Sequence, residues 1–524
     1  MLPAGERTNG GAPLAAREAR ALPTTDSMDA AKCLQRRAIH AIKGSEPFHR
    51  AMSETPAHTL NPKYAWRELA HKDLPKRSAE QRVSDFLEIY GLYDEATARE
   101  QASRCIQCPN PSCVTGCPLC NPIPQWMLLT AEGRFLEAAA VLGSATNLAE
   151  ICARVCPTDR LCEGSCILSG VSEPVAIGAL EQFLTEYAFA HGQVDASTER
   201  PNGKRVAVVG SGPGGLACAD ELAKKGYAVT VLDSGLVPGG LFVNGTPAFR
   251  VEKSIVQRRI EILQKRGVVF RLGVKLDSGL ALGKLREEYH AIFLGFDARK
   301  ARTLSVPGAS LSGIVQALPF LLQKITPVPL DCPPIEVADK RVLVVGAGDT
   351  AMDCLRTALR YGAREATCVY RRDEGDMPCS RREFENAREE GARFRFQAAP
   401  VAVLGEEQGR VRALRVIQTE LALPKSMGPR PFVVRQGTEY DLPADWIVLA
   451  LGFDPSPCPR EGDMAALAAN EWGGVAVDEN QMTNIPGVFA GGDLVRGPTQ
   501  VLHAVRDARR AAAQIHAYLS ARSG

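Results

Sequence analysis

The strongest constraint on this chain of 524 residues is an internal repeat. KRVAVVGSGPGGLACADELAKKGYAVTVLD (204–233) matches KRVLVVGAGDTAMDCLRTALRYGAREATCVYRR (340–372). Each copy reads as an apolar, β-branched strand, a glycine turn, a helix and a second strand. One such loop would be weak evidence, because strand-to-helix turns often carry glycine. Two in register, each inside a complete unit, predict two dinucleotide-binding βαβ domains and an α/β, Rossmann-like fold.

In these units the first glycine permits a tight turn, the second lets backbone approach a pyrophosphate, and the third lets the helix pack closely on the strand. The anion rests on the helix N-terminus, where free N–H groups and the macrodipole favour negative charge. The first copy supplies Gly210, Gly212 and Gly215; the second supplies Gly346, Gly348 and Ala351. The residue ending the second strand selects the nucleotide, since an acid accepts from ribose hydroxyls whereas arginine pairs with a 2′-phosphate. Asp233 in the first copy therefore suits FAD, and Arg371-Arg372 in the second suit NADPH. Gly214, Gly240 and Leu241 join the residues expected at the first site, and Asp349 and Thr350 those at the second.

Near the C-terminus, DWIVLALGFDP (445–455) reads as a buried strand, and 484–519 as strand, GGD turn and long helix. Gly492 and Asp493 in that turn are placed for a ribityl hydroxyl, with the helix start facing the electron-rich edge of a flavin. The second nucleotide domain is thereby inserted into the first. The expected boundaries are a disordered tail over 1–55, a helical domain over 56–200, an FAD domain over 201–325 plus 441–524, and an NAD(P)H domain over 326–440. Within the helical domain the pattern predicts helix from Arg67 to Glu100 and again over 176–192.

Sixteen cysteines remain to be explained. A first group runs Cys105-x2-Cys108-x4-Cys113-x3-Cys117, and a second Cys152-x3-Cys156-x5-Cys162-x3-Cys166. The first 50 residues lack the apolar core of a secretory signal, which predicts a reducing, cytoplasmic setting where metal ligation outranks disulfides. Iron–sulfur clusters need four thiolate-type ligands each and Cys-Pro steps are ferredoxin-like, so two clusters are expected; structural zinc is the competing reading. Cys218, Cys354 and Cys368 lie inside the nucleotide units and read as packing residues. No Cys-x-x-Cys stands between Gly210 and Gly346, which argues against a disulfide reductase. Formal net charge is +2, and no apolar run approaches the roughly 20 residues needed to span a bilayer, so neither nucleic acid nor membrane is expected as a partner.

The two loops, YRRDEGDMP (370–378), VFAGGD (488–493) and the cysteine pattern resemble the small subunit of NADPH-dependent glutamate synthase. They also resemble its relatives, the amino-terminal half of dihydropyrimidine dehydrogenase and the larger subunit of NADH-dependent ferredoxin:NADP oxidoreductase. The resemblance implies FAD, NADPH and two [4Fe–4S] clusters. It implies interleaved ligands: Cys105, Cys108, Cys113 and Cys166 for one cluster; Cys117, Cys156, Cys162 and Glu181 for the other, with Cys152 or Cys120 as alternatives to Glu181. Electrons would pass from NADPH to FAD, then singly to the clusters, with no side chain acting as catalytic acid or base. The acceptor would be a larger catalytic subunit or a ferredoxin-type protein in a hetero-oligomer. A colourless, zinc-stabilised nucleotide-binding scaffold is the alternative from another class.

Overall fold

The computed structural model describes residues 63–522 apart from 195, 276–280, 297–299, 324–333, 424–429, 455–461 and 472. The tail expected over 1–55 lies outside the described residues.

The amino-terminal region is helical, but not from Arg67 to Glu100 as the periodicity predicts. Short helices at Ala65–Glu68 and Ala79–Val83 precede a longer one at Glu95–Ser103. Between them the chain doubles back: Pro75 has no N–H to continue a helix, Gly91 N–H donates to Pro75 O (2.7 Å), and Lys76 bridges antiparallel to Tyr90. Ser78 and Gln81 form a capping box, and Asp94 accepts from Thr97 N–H, so the second and third helices each start at their own cap. Helices Ile123–Ala131, Phe135–Ala145, Ala149–Val155 and Ile177–Ala190 follow, packed around Trp126, Met127, Leu142, Leu180 and Leu184. The last matches the expected 176–192 helix. Among the described residues no single helix is long and apolar enough to cross a membrane.

Beyond the helical domain the chain enters β1 (Arg205–Val209), β2 (Ala228–Asp233), β3 (Val269–Leu272) and β4 (Ala291–Leu294). It then forms β5 (Ile314–Gln316), β6 (Arg341–Val345), β7 (Glu365–Val369), β8 (Arg393–Arg395) and β9 (Trp446–Leu449), and returns with β10 (Val488–Ala490). The first sheet has the order β10-β4-β1-β2-β3 and the second β5-β9-β6-β7-β8, every pair parallel. β1, β4, β6, β9 and β10 are buried on both faces, which is why they read as apolar runs, whereas the edge strands β3 and β8 carry exposed residues. Val206, Val208 and Phe293 pack on Leu216 and Leu222 of the helix Pro213–Lys224 and on Val505 and Ile515 of the C-terminal helix Val501–Ser520. On the second sheet, Val342 and Val344 meet Met352 and Leu355 of the helix Asp349–Arg360. Its other face is covered by an antiparallel ladder of Ala398–Gly405, Val411–Leu421 and Tyr440–Pro443.

Two sheet assignments correct the expected boundaries. β9 was expected in the FAD domain, and so was β5, yet both belong to the second sheet. Asp445, just before β9, accepts from Arg341 N–H (2.7 Å) and from its guanidinium (3.0 Å), which fixes β9 beside β6. An apolar run carries no label for its partner strand, so periodicity could not decide between the sheets. β10 does return to the first sheet, so the strands of the second sheet lie between β4 and β10 along the chain.

Candidate functional site

The first glycine loop is shaped by close backbone approach. Gly210 has φ +101°, and a Cβ there would lie 2.7 Å from Gly295 O. A Cβ on Gly215 would lie 1.8 Å from Gly210 O, so strand and helix touch through this residue. Gly212 differs: a Cβ there would meet nothing within 4 Å, which leaves an open cradle at the helix N-terminus. The first bond of that helix is Leu216 N–H to Gly212 O (2.9 Å), so the N–H groups of Gly214 and Gly215 have no partner within the helix. Gly240, at φ +56°, closes one side of the cradle, its side-chain position 2.7 Å from Gly212 Cα, and Leu241 opens the short helix beyond it.

Asp233 ends β2 as expected, and it also ties the loops together. Ser211 donates to Asp233 Oδ2 through N–H (2.6 Å) and Oγ (2.7 Å), and Gly235 N–H donates to Oδ1 (2.7 Å). Ser211 Oγ in turn accepts from Gly239 N–H (3.0 Å). Two bonds fill Oδ2, and Oδ1 keeps one lone pair for a ribose hydroxyl.

The C-terminal turn comes to the same place. Gly492 has φ +73°, and its side-chain position lies 3.3 Å from Ala504 Cβ; the side-chain position of Gly214 lies 3.6 Å from Ala504 O. Gly492 N–H donates to Asp507, which Arg496 also binds (2.6 Å), and Asp493 Oδ1 accepts from Thr499 N–H (3.3 Å). A short helix, Asp493–Arg496, separates the turn from the long helix. Gln500 Oε1, at the cap of the long helix, is buried without a hydrogen-bond partner. The open face at Gly212, the helix N-termini and this acceptor fit an elongated, phosphate-bearing ligand with hydroxyl or N–H groups.

The second loop repeats the geometry. Gly346 has φ +125°, and a Cβ there would lie 2.2 Å from Ala450 O. Gly348 is open, its nearest neighbour being the Pro378 ring at 4.0 Å, and the helix Asp349–Arg360 begins beside it. Thr350 is half-buried in the first turn, and Asp349 Oδ1 accepts from Ser380 N–H (3.1 Å). The Arg371 and Arg372 guanidiniums lie 5.0 and 5.7 Å from the Phe432 ring centroid. Burial and the adjacent Arg372 lower the Arg371 pKa. Two cations held side by side on an aromatic face suit a dianionic phosphate.

The cysteines fall into two sets. Cys105, Cys108, Cys113 and Cys166 line one cavity together with Pro111, Met127 and Ile177. Burial, then the neighbouring thiols, pushes Cys105 up to about 11 and Cys113 to about 12. Cys117, Cys156 and Cys162 are buried elsewhere and share Glu181 as a neighbour that disfavours their thiolates. Burial, reinforced by Glu163 and Glu150, raises Glu181 to about 8. Such groups ionise when a cation binds them, which is the chemistry of an iron–sulfur ligand set. Among the described residues no three His, Cys, Asp or Glu side chains converge on a single-ion position; the first set walls a cavity instead. Cys152 is buried and hydrogen-bonds Cys156, so it also borders the second set, and Cys120 N–H closes a turn on Cys117 O (2.8 Å). Cys218, Cys354 and Cys368 are buried in the nucleotide units.

Sequence reasoning missed Ser211, Gln500, Phe432 and Ser380. Ser211 stood inside the loop motif, but its hydroxyl has a role only once β2 is beside it. Phe432 is reached through the antiparallel ladder, where Thr419 Oγ1 donates to Arg371 O (2.8 Å), and no spacing rule links it to Arg371.

Comparison with known proteins agrees with this geometry. The family described as dihydropyrimidine dehydrogenase domain II, 4Fe-4S cluster, matches residues 82–193, and that described as pyridine nucleotide-disulphide oxidoreductase matches 204–508. The glutamate synthase [NADPH] small chain of Azospirillum brasilense is 42% identical, covering 86% of this chain and 94% of that one. The Escherichia coli small chain is 39% identical over 86% of this chain and 97% of its own, and the E. coli putative oxidoreductase AegA 41% over 86% and 70%. Mycobacterium tuberculosis FprA, solved in complex with NADPH, shares the fold at a TM-score of 0.51 and 20% identity, over 62% of this chain and 86% of that one. The chain is an oxidoreductase that belongs to the glutamate synthase [NADPH] small-chain family.

Proposed function

We propose that the chain takes electrons from NADPH and delivers them, through FAD and two [4Fe–4S] clusters, to a larger catalytic subunit that makes glutamate. The observation that carries this reading is the pairing of two open glycine cradles with two separate ligand sets, one of four thiols and one of three thiols beside a buried carboxylate. When bound, NADPH supplies a hydride, FAD converts that two-electron donor into single-electron transfers, and the clusters carry one electron each.

The chain's own residues bind and align. Gly212, Gly214, Gly215, Gly240 and Leu241 would hold the FAD pyrophosphate, Asp233 its ribose and Gly492-Asp493 its ribityl chain. Gly346, Gly348, Asp349 and Thr350 would hold the NADPH pyrophosphate, with Arg371 and Arg372 on the 2′-phosphate. Cys105, Cys108, Cys113 and Cys166 would hold one cluster; Cys117, Cys156, Cys162 and Glu181 the other. Ring-to-ring hydride transfer needs no protein acid or base, so no residue is assigned a proton. The reading places the chain in a cytoplasmic hetero-oligomer, because it would carry electrons but needs a separate protein to accept them. The similarity to AegA favours a second reading, in which the acceptor belongs to another oxidoreductase.

Anaerobic purification followed by metal and flavin analysis tests the proposal. It predicts one FAD and about eight irons per chain, falling to about four in Glu181→Ala. Two zincs with negligible iron would overturn it.

A further inference from the structure

Arg160 lies between two thiols of the second ligand set, Cys156 and Cys162, at the end of the short turn Thr158–Arg160. Its guanidinium reaches out of the helical region, donating from Nη1 to Pro378 O (2.8 Å) and from Nη2 to Met377 O (2.5 Å). Beside it Arg381 N–H donates to Asp159 Oδ2 (3.1 Å), and the Arg382 guanidinium donates to Arg154 O. The ligand-bearing segment is thus attached to one stretch of the second nucleotide unit, residues 377–382.

The same stretch also touches the second glycine loop. Cys379 N–H donates to Ala347 O (3.3 Å), Ser380 N–H donates to Asp349 Oδ1 (3.1 Å), and the Pro378 ring is the nearest group to the open side of Gly348. Tyr370 Oη donates to Asp376 O (2.7 Å), tying the stretch to the strand end that precedes Arg371. Residues 377–380 are therefore gripped on one side by the turn that carries Cys156 and Cys162, and on the other by the loop expected to receive a pyrophosphate.

We infer that Arg160 is a positioning residue that couples dinucleotide occupancy of the second glycine loop to the environment of the Cys117, Cys156 and Cys162 set. A guanidinium held on two backbone carbonyls is a rigid, charge-assisted clamp, unlike a single flexible ammonium. A phosphate settling at Gly348 and Asp349 meets the Pro378 ring and the Ser380 bond first. Any displacement of those groups moves the Met377 and Pro378 carbonyls, and with them Arg160 and the thiols on either side of it. Linkage makes the effect reciprocal: if dinucleotide alters the redox equilibrium of that set, its redox state alters dinucleotide affinity by the same factor. The inference rests on the proposed function, because it assumes a cluster at these thiols and a dinucleotide at this loop.

The test uses the anaerobically purified chain with the 3-aminopyridine analogue of NADP+, whose ring accepts no hydride and so leaves reduced flavin and clusters reduced. Low-temperature electron paramagnetic resonance of the reduced clusters is recorded with and without the analogue, and its dissociation constant is measured in the oxidised and reduced protein. The expected result is an analogue-dependent change in one cluster signal and at least about a fivefold difference between the two constants. In Arg160→Ala, with iron and flavin content retained, both effects should vanish; Arg160→Lys, which restores the charge and one bond, should recover part of them. An iron-replete native protein whose signals and analogue affinity are independent of each other overturns the inference, with no variant required. So does an Arg160→Ala protein that keeps the full effect. Native protein lacking iron would instead overturn the proposed function, so the two failures are distinguishable.

Discussion

Gly212 and Gly215 stand three residues apart in one loop and should respond to substitution in opposite ways. At Gly215 a methyl would sit 1.8 Å from Gly210 O, about 1.7 Å inside ordinary contact of about 3.5 Å. The carbonyl has little room to retreat, because the side-chain position of Gly210 already lies 2.7 Å from Gly295 O. Gly215→Ala should therefore cost about 3 kcal/mol of stability, the upper range for overpacking. At Gly212 the backbone has φ −69° and ψ −175°, extended values that valine adopts readily, and a Cβ there meets nothing within 4 Å. Gly212→Val should leave stability within about 0.5 kcal/mol of native. It should still fill the cradle, and a pyrophosphate kept from the N–H groups of Gly214 and Gly215 should lose about 1.5–3 kcal/mol of binding, or roughly 10- to 150-fold in affinity. Denaturant unfolding of the flavin-stripped proteins and flavin fluorescence titration separate the two quantities. A Gly212→Val protein as destabilised as Gly215→Ala, or one that binds flavin normally, would refute the reasoning.

Two further outcomes follow from the charges. Arg371→Asp should raise KM for NADPH by roughly 10- to 150-fold with less effect on NADH, since a charge-assisted bond of about 1.5–3 kcal/mol is lost; equal use of both nucleotides by the native protein would contradict the assignment. Burial alone would raise the Glu383 carboxyl, but Arg250, Arg356 and Arg382 outweigh it and hold it at about 2 against an ordinary 4.5. A depressed carboxyl stabilises the fold above its ordinary pKa, and that contribution is lost as pH falls from 4.5 towards 2. Glu383→Gln should thus cost about 3 kcal/mol at neutral pH, with the gap from native closing in acid, as unfolding measured from pH 6 to pH 3 would show. Parallel stability curves would count against it.

Both nucleotide units were legible because a glycine loop is a local demand: Gly210, Gly215 and Gly346 each sit where a Cβ would strike a backbone carbonyl, and only glycine tolerates that. The contrast between Asp233 and Arg371 was equally local, fixed by position at a strand end. The division of the cysteines came from family resemblance; spacing alone would have paired them as two consecutive fours, and only folding brings Cys166 to the cavity wall beside Cys105. The doubling back at Pro75 and Gly91 was hidden by helical periodicity on either side of the break. The membership of β9 and the reach of Arg160 to Met377 and Pro378 are long-range pairings, which a pattern read along one segment does not carry.

The central claim is that electrons reach the partner only by way of the cysteine-held clusters, and one variant tests it. Cys113 lines the cavity with Cys105, Cys108 and Cys166 and belongs to neither glycine loop. NADPH oxidation by Cys113→Ala is measured with two acceptors: a dye that takes electrons at the flavin, and the natural partner. Flavin content and circular dichroism establish that the variant is folded, because cluster binding contributes to folding free energy. The account predicts near-native dye reduction and abolished reduction of the partner. A folded, flavin-replete variant that reduces the partner at the native rate would place the clusters off the route and contradict the proposed order of carriers.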